Sequence, residues 1–350
     1  MVAESAEHSE GKSEKPRILA LANDAGGAIL LKSIILAEKE IASWTVSMPK
    51  DSPASRIFEN SNDIERLVFE DCLTLEEIAS FRPDLLIFNP GWNSFPREAI
   101  AGKKGLGFPT AALLDHWIDY AKRLHEGDAD YFIVCDDHAF EAASAASLSP
   151  VLKLNNYHFT ELENSALQSG NRTYRGKDLL FISQTIALHD EIKPGIDPGF
   201  TYLGLDEGKV VEELLENFEK IAREFQVEGI RFRLHPSETE FRHGELTNRF
   251  PNIPTSLEHS SSRSLAESTR DAGVVMGINS MATYEAHLLG RPAFAIRPLP
   301  STRITIPIPE AQKLDRAVDA RKANVLNERP EYYKDHPFEE LLPIMLPSLI

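Results

Sequence analysis

Cysteine is nearly absent from the 350-residue chain, which has only Cys72 and Cys135, with no CxxC spacing around either. That excludes a disulfide framework and a zinc finger, and it fits a reducing cytoplasm. Positive charge is also short: 37 Lys and Arg stand against 54 Asp and Glu, a net charge of -17 with no long basic cluster to offset it. Such a surface repels a phosphate backbone, so general nucleic-acid binding is excluded as a function class. Long apolar runs are missing as well. Residues 1–16 are polar and rich in Glu, Ser and Lys, without the basic start and apolar core of a secretion signal. No stretch elsewhere approaches the ~20 apolar residues that span a bilayer. The expectation is a soluble chain with a disordered tail over residues 1–16.

What the sequence does contain is enough apolar matter, 42% over 350 residues, for two compact domains. Short apolar strands are legible at Arg17–Ala22, Trp44–Met48, Leu67–Phe69, Asp84–Phe88, Thr110–Leu114 and Tyr131–Cys135, separated by segments of helical period such as Thr74–Ser80 and Ala139–Ala146. Strands alternating with helices predict a parallel, doubly wound α/β sheet. Polar residues follow several strand ends: Asp24-Ala25-Gly26-Gly27 after the first, Asn89-Pro90-Gly91-Trp92-Asn93, Asp115-His116-Trp117, and Asp136-Asp137-His138. The first loop lacks the GxGxxG fingerprint, so Gly26 and Gly27 do not read as an NAD site. Asp24 is either a candidate general base at the strand end or a helix-start carboxylate favoured by the dipole. Asp115 and His116 are candidate proton acceptors in the cleft. A zinc or manganese reading of the Asp-His pairs is the lesser alternative, because no HxH or HxxxH spacing accompanies them. Asp137 reads as a cap on the helix near Ala139.

From Glu163 to Lys177 the composition turns polar, and residues 163–177 read as an interdomain linker. A second buried strand series begins at Asp178–Ile182 and ends in Ser183-Gln184, whose hydroxyl and amide are expected to face the cleft. One long helix is predicted over Glu207–Phe225, a short one with a capping box at Ser264 and Glu267, and a last one around Ala311–Val325. The apolar end LLPIMLPSLI reads as packing on the chain's own surface, with a peripheral membrane or partner contact as the alternative.

The most informative stretch is Gly229 to Ile296. Its first half, GIRFRLHPSE, is a strand stopped by Pro236, which delivers His235 to the sheet edge. Its second half, AGVVMGINSMATYEAHLLGRP, spells strand, cap at Asn279-Ser280, helix and glycine stop. A helix start with free N–H groups and no acidic residue before Glu285 suits a phosphate. Glu285, about a turn and a half into the helix, can accept hydrogen bonds from sugar hydroxyls.

LHP followed by GxNSxxxxEAxxLGxP resembles the donor half of GT-B glycosyltransferases, in particular the bacterial sialyltransferase, polysialyltransferase and Kdo-transferase group and the CDP-glycerol polymerases. The match covers roughly a fifth of the chain. It implies two Rossmann-like domains facing across a cleft, with an acceptor-side domain over 17–162, a nucleotide-donor domain over 178–300, and residues 301–350 returning to the first domain. It implies nucleotide binding at His235, Pro236, Asn279, Ser280 and Glu285, with Ser183 and Gln184 as a weaker match, and metal-independent chemistry with no cofactor. The implied activity is transfer of a sugar from a nucleotide-sugar donor, a CMP-linked acidic sugar for preference, to a hydroxyl of a glycan or glycolipid acceptor in surface-polysaccharide synthesis. That work belongs in the cytoplasm, with the inner membrane face as an alternative location. A nucleotide-sugar epimerase or hydrolase of the same fold, or a non-catalytic binding module, is the competing reading. Asp206-Glu207-Gly208 matches the sialyltransferase acidic motif as a string but stands too close to His235 for that family's spacing.

Overall fold

The structure is a computed structural model that describes residues 15–59, 61–69, 73–90, 107–115, 117, 120, 129–147, 149–168, 176–184, 207–236, 238, 240–260, 262–298, 304–322 and 332–347. Most of the expected tail, Cys72, Gly91 to Asn93, His116 and Asp206 lie outside these residues.

The first domain runs β1 (Arg17–Leu21), α1 (Ala25–Ala37), β2 (Ser43–Pro49), α2 (Pro53–Phe58), β3 (Glu65–Phe69), α3 (Leu75–Ser80), β4 (Leu85–Phe88), β5 (Thr110–Leu113), β6 (Tyr131–Val134), α4 (Asp137–Ala146), β7 (Val151–Lys153) and α5 (Tyr157–Gln168). The second runs β8 (Asp178–Ile182), α6 (Glu207–Glu216), α7 (Phe218–Phe225), β9 (Gly229–Arg233), α8 (Gly244–Asn248), β10 (Thr255–Glu258), α9 (Leu265–Arg270), β11 (Ala272–Gly277), α10 (Met281–Leu288), β12 (Ala293–Ile296) and β13 (Lys313–Leu314). A final helix, α11, covers Phe338–Met345.

Every strand pair is parallel. The central strands LLIF, TAAL and AFAI are buried at every position, because helices cover both faces and alternation has no solvent side to serve. The first sheet has the order β3-β2-β1-β4-β5-β6-β7 and the second β10-β9-β8-β11-β12-β13. Both therefore reverse direction between their first and fourth strands, and the crevice outside the carboxyl ends at that reversal is where such sheets bind ligands. In the first sheet it lies between the loops after β1 and β4, which hold Asn23-Asp24 and Asn89-Pro90. In the second it lies between Ser183-Gln184 and Asn279-Ser280.

Several local expectations change. Glu163 to Gln168, the first residues of the expected linker, are the last turns of α5. The helix expected over Glu207–Phe225 is two helices broken at Asn217, where the backbone leaves helical geometry (φ -108°, ψ 8°). Around Ala311–Val325 there is a 3₁₀ turn over Glu310–Gln312, then β13, then a 3₁₀ turn over Ala317–Lys322. There the chain extends the second sheet by pairing β13 with β12. The cap of α4 is Asp136, whose carboxylate accepts from Ala139 N–H at 2.7 Å; Asp137 is the next residue and takes the Tyr333 hydroxyl and Lys153 instead.

The C-terminal helix packs on the first domain. Phe338, Leu341, Met345 and Leu346 join Ile18, Trp44 and Ile133 in one buried cluster, and the rings of Trp44 and Phe338 lie 5.2 Å apart. Much of the apolar end is thus spent inside the protein, although Ile344 stays half exposed. No helix among the described residues is long and apolar enough to cross a membrane.

Candidate active site between the two sheets

The two domains meet through an aromatic cluster. Tyr284 of α10 is fully buried, with edge-on contacts to Trp117 (5.2 Å) and Phe159 (5.1 Å) of the first domain. Beside it lies a small cavity of about 40 Å3, partly open to solvent. Gly26, Asp115, Asp136 and His158 line it from the first domain, and Met281 and Glu285 from the second.

Asp115 follows β5 and lies against α1. A Cβ on residue 26 would come within 2.7 Å of Asp115 Oδ2, so Gly26 lets this carboxylate sit close to the helix. Gly27 has a different purpose, since a Cβ there would overlap the buried side chain of Asn89 at the end of β4. The glycines thus admit neighbouring side chains. Exchange of Gly26 for alanine tests this. The flexible Asp115 can swing aside, and alanine favours a helix by about 1 kcal/mol over glycine. Melting temperature should therefore hold or rise slightly, while a displaced carboxylate lowers turnover by up to about 10²-fold. A variant with full turnover would remove Asp115 from the site.

Asp136 is buried at 5% exposure. Burial pushes its carboxyl pKa up, against the pull of Ala139 N–H and the Trp117 indole, which donates to Oδ2 at 2.7 Å. It therefore anchors Trp117 at the cavity wall. Asp24 is the N-cap residue of α1 without a side-chain cap bond, and it is not among the lining residues. Of the candidate bases Asp24, Asp115 and His116, Asp115 is the one placed at the cavity, and His116 is outside the described residues.

The carboxyl edge of the second sheet is tied together by Glu207, which is 2% exposed. Its carboxylate accepts from Ser183 Oγ (2.8 Å) and Gln184 N–H (2.6 Å), and His243 Nε2 lies 2.9 Å from it. Gln184 Oε1 in turn accepts from Asn279 N–H at 2.9 Å, and Asn279 Oδ1 accepts from Thr305 N–H at 2.9 Å. Ser183, Gln184 and Asn279 are thus framework: they hold the serine loop, and the Asn279 N–H expected to be free is taken. Ser280 is the N-cap of α10, its Oγ accepting from Ala282 N–H at 3.2 Å, which leaves its own hydroxyl proton to donate. His235 is half-buried, with its N–H on Glu238 Oε2 at 2.7 Å. The Pro236 carbonyl accepts from Arg56 of the first domain at 3.2 Å, so the His-Pro loop also touches both domains.

The residue that sequence reasoning missed is His158, in the first turn of α5. Its Nε2 lies 3.1 Å from Glu285 Oε1, across the domain boundary. Burial works against charge on His158, but Glu285 and Glu161 outweigh it and raise its pKa above the ordinary 6.5. A raised folded pKa means the bridge's stabilisation is whole below pH 6.5 and is lost as pH rises through the raised value. The melting temperature of the native protein minus that of His158→Gln should accordingly shrink from pH 6 to pH 8.5 when followed by differential scanning fluorimetry. A gap constant across that range would show that His158 does not titrate with folding. Among the described residues, no group of three or more His, Cys, Asp or Glu is arranged to hold a metal ion.

This arrangement of two parallel sheets is similar to that of solved structures. The chain resembles an S. aureus MnaA-UDP co-structure with a TM-score of 0.62 at 12% identity, over 96% of this chain and 98% of that one. The fold is GT-B. A UDP-N-acetylglucosamine 2-epimerase from Rickettsia bellii gives 0.53 at 13% identity, over 91% and 89%. The enzyme of that name from Neisseria meningitidis, bound to UDP-GlcNAc, gives 0.52 at 11% identity, over 79% and 82%. No protein-family model and no curated protein sequence matches the chain. The sialyltransferase, polysialyltransferase and Kdo-transferase group suggested by the motifs is not among these three neighbours, which support the GT-B architecture common to both.

Proposed function

We propose that this protein is an enzyme acting on a nucleotide-sugar, with the nucleotide phosphate on the second domain and the sugar in the interdomain cavity. The observation that carries it is the cavity's construction, in which Asp115 and Gly26 from the first domain face Met281 and Glu285 from the second. Departure of the nucleotide leaves negative charge on phosphate, and fixed donors at that point lower the barrier. The Ser280 hydroxyl and the His235 side chain, on the two loops flanking β8, are the donors assigned to it. The His-Pro and serine motifs favour transfer of the sugar to a hydroxyl acceptor held near Asp115.

A second reading is favoured by the likeness to UDP-N-acetylglucosamine 2-epimerases along almost the whole chain: conversion of the sugar without an acceptor. Nucleotide release assayed by chromatography, with UDP- and CMP-sugars and with and without glycan acceptors, separates the two. Acceptor-dependent release supports transfer, acceptor-independent conversion supports the epimerase reading, and inertness with every donor supports a binding module. For the nucleotide itself, CMP is the motif's preference and UDP that of the structural neighbours. A ligand at a hundred times its Kd stabilises by about 2.7 kcal/mol, so thermal shifts with CMP, CDP, UDP and GDP rank them directly. His235→Ala and Ser280→Ala should each weaken the preferred nucleotide by about 1.5 to 3 kcal/mol in calorimetric titration. Unchanged affinity in both would move the phosphate elsewhere.

A further inference from the structure

We infer that His158 is the residue that takes the proton from the attacking hydroxyl, oriented for that task by Glu285 of the opposite domain. The inference rests on the transfer reading above. His158 lines the cavity with Asp115, and its Nε2 meets a carboxylate that is itself only 6% exposed. A base held by a hydrogen bond to a third group is the recurring arrangement for activating a hydroxyl. With Nε2–H given to Glu285, Nδ1 carries the lone pair that accepts a proton. The turn that carries the ring is fixed as well. The first turn of α5 is capped by Asn156, whose Oδ1 accepts from Phe159 N–H at 3.0 Å, and Phe159 packs on Tyr284, the neighbour of Glu285.

The other carboxylates at the cavity suit the task less. Asp136 is committed to Ala139 N–H and the Trp117 indole. Asp115 also lines the cavity, but a general base works best with a pKa near the working pH, which an imidazole beside a carboxylate matches better than a carboxylate does. Asp115 then accepts a hydrogen bond from the acceptor and sets its position. As the hydroxyl oxygen bonds to the anomeric carbon, its proton passes to His158 Nδ1. The bond from that carbon to the phosphate oxygen breaks, and its electron pair leaves with the nucleotide. Glu285 stabilises the imidazolium until the proton returns to water. Because base and orienter belong to different domains, the unit is assembled only while the domains are together. A hydroxyl that enters an open cleft meets no activated base.

The test is the pH dependence of acceptor-dependent nucleotide release from pH 5 to 9 in the full chain, with UDP and CMP titrations alongside. His158→Gln keeps a side-chain N–H for Glu285 but cannot titrate. It should lose the rising limb above pH 6.5 and about 10² to 10⁴-fold in kcat, with nucleotide affinity within about twofold of native. Glu285→Gln should move the limb to lower pH, since the carboxylate that raises the imidazole pKa is gone. A His158→Gln enzyme with the limb intact and kcat within about threefold of native overturns the inference. So does a fall in rate with the limb unmoved, which would make His158 a bridge and nothing more. Failure of the transfer reading is visible separately and earlier, in the native protein, as acceptor-independent conversion or no turnover, and it removes the hydroxyl whose proton His158 would take.

Discussion

Alanine at position 284 should lower stability by about 3 to 5 kcal/mol, the usual cost of deleting a buried aromatic ring. Tyr284 belongs to α10 of the second domain but spends its ring on the first, edge-on against Trp117 and Phe159. Removing it therefore opens a hole at the junction of the two sheets, beside the cavity. The effect should divide into a lower urea midpoint and a fall in turnover, because Glu285 is the next residue and shares the helix that would lose its seat. Tyr284→Phe keeps the ring and should recover most of the stability. A loss below about 1 kcal/mol for the alanine variant would mean that the interface can close over the gap, against the expectation for a fully buried site.

A second large effect is expected at Glu258. This carboxylate, 5% exposed at the end of β10, meets Arg231 Nη1 at 2.9 Å and also pairs with Arg233, both arginines being buried on β9. Ser268 of α9 bonds to the same cluster through its hydroxyl and its carbonyl. Glu258→Ala takes the carboxylate from buried Arg233 and leaves buried Arg231 only the more distant Asp178, 3.6 Å from its Nε, a loss of about 3 to 5 kcal/mol. The same physics gives a counter-experiment: replacing Arg231, Arg233 and Glu258 together by apolar residues of similar volume should be neutral or stabilising. If the triple variant is as unstable as Glu258→Ala, the cluster contributes through shape and not through charge. The arginines flank Phe232 on the strand that delivers His235, so nucleotide affinity is the second readout.

The sequence carried the architecture where burial was complete. Runs such as LLIF, TAAL and AGVVMG have no polar side to blur them, and the caps at Ser264 and Ser280 stand where the chain asks for them. Three of the four edge strands were lost, β3 being the one that was legible. β10, with Leu257 half exposed, and β7 and β13, with no fully buried residue, draw their stability from a neighbour's hydrogen bonds more than from their own apolar pattern. The residues of the serine motif divide their bonds in a way the motif does not encode. Asn279 and Gln184 bond each other, while Ser280 keeps a donor to offer. His158 left no local trace, because nothing in YHFTELEN distinguishes it until a carboxylate 127 positions away is folded against it.

The seat of α11 on the first sheet sets the order in which this protein can be finished on the ribosome. Strands β1 to β7 have all emerged once α5 is out, but the face around Trp44 stays uncovered until Phe338 and Leu341 follow, about 170 residues later. At 5 to 20 residues per second that delay is roughly ten to thirty seconds. Through that interval the nascent first domain displays an apolar groove of its own, a ready surface for chaperones to hold and for other unfinished chains to misjoin.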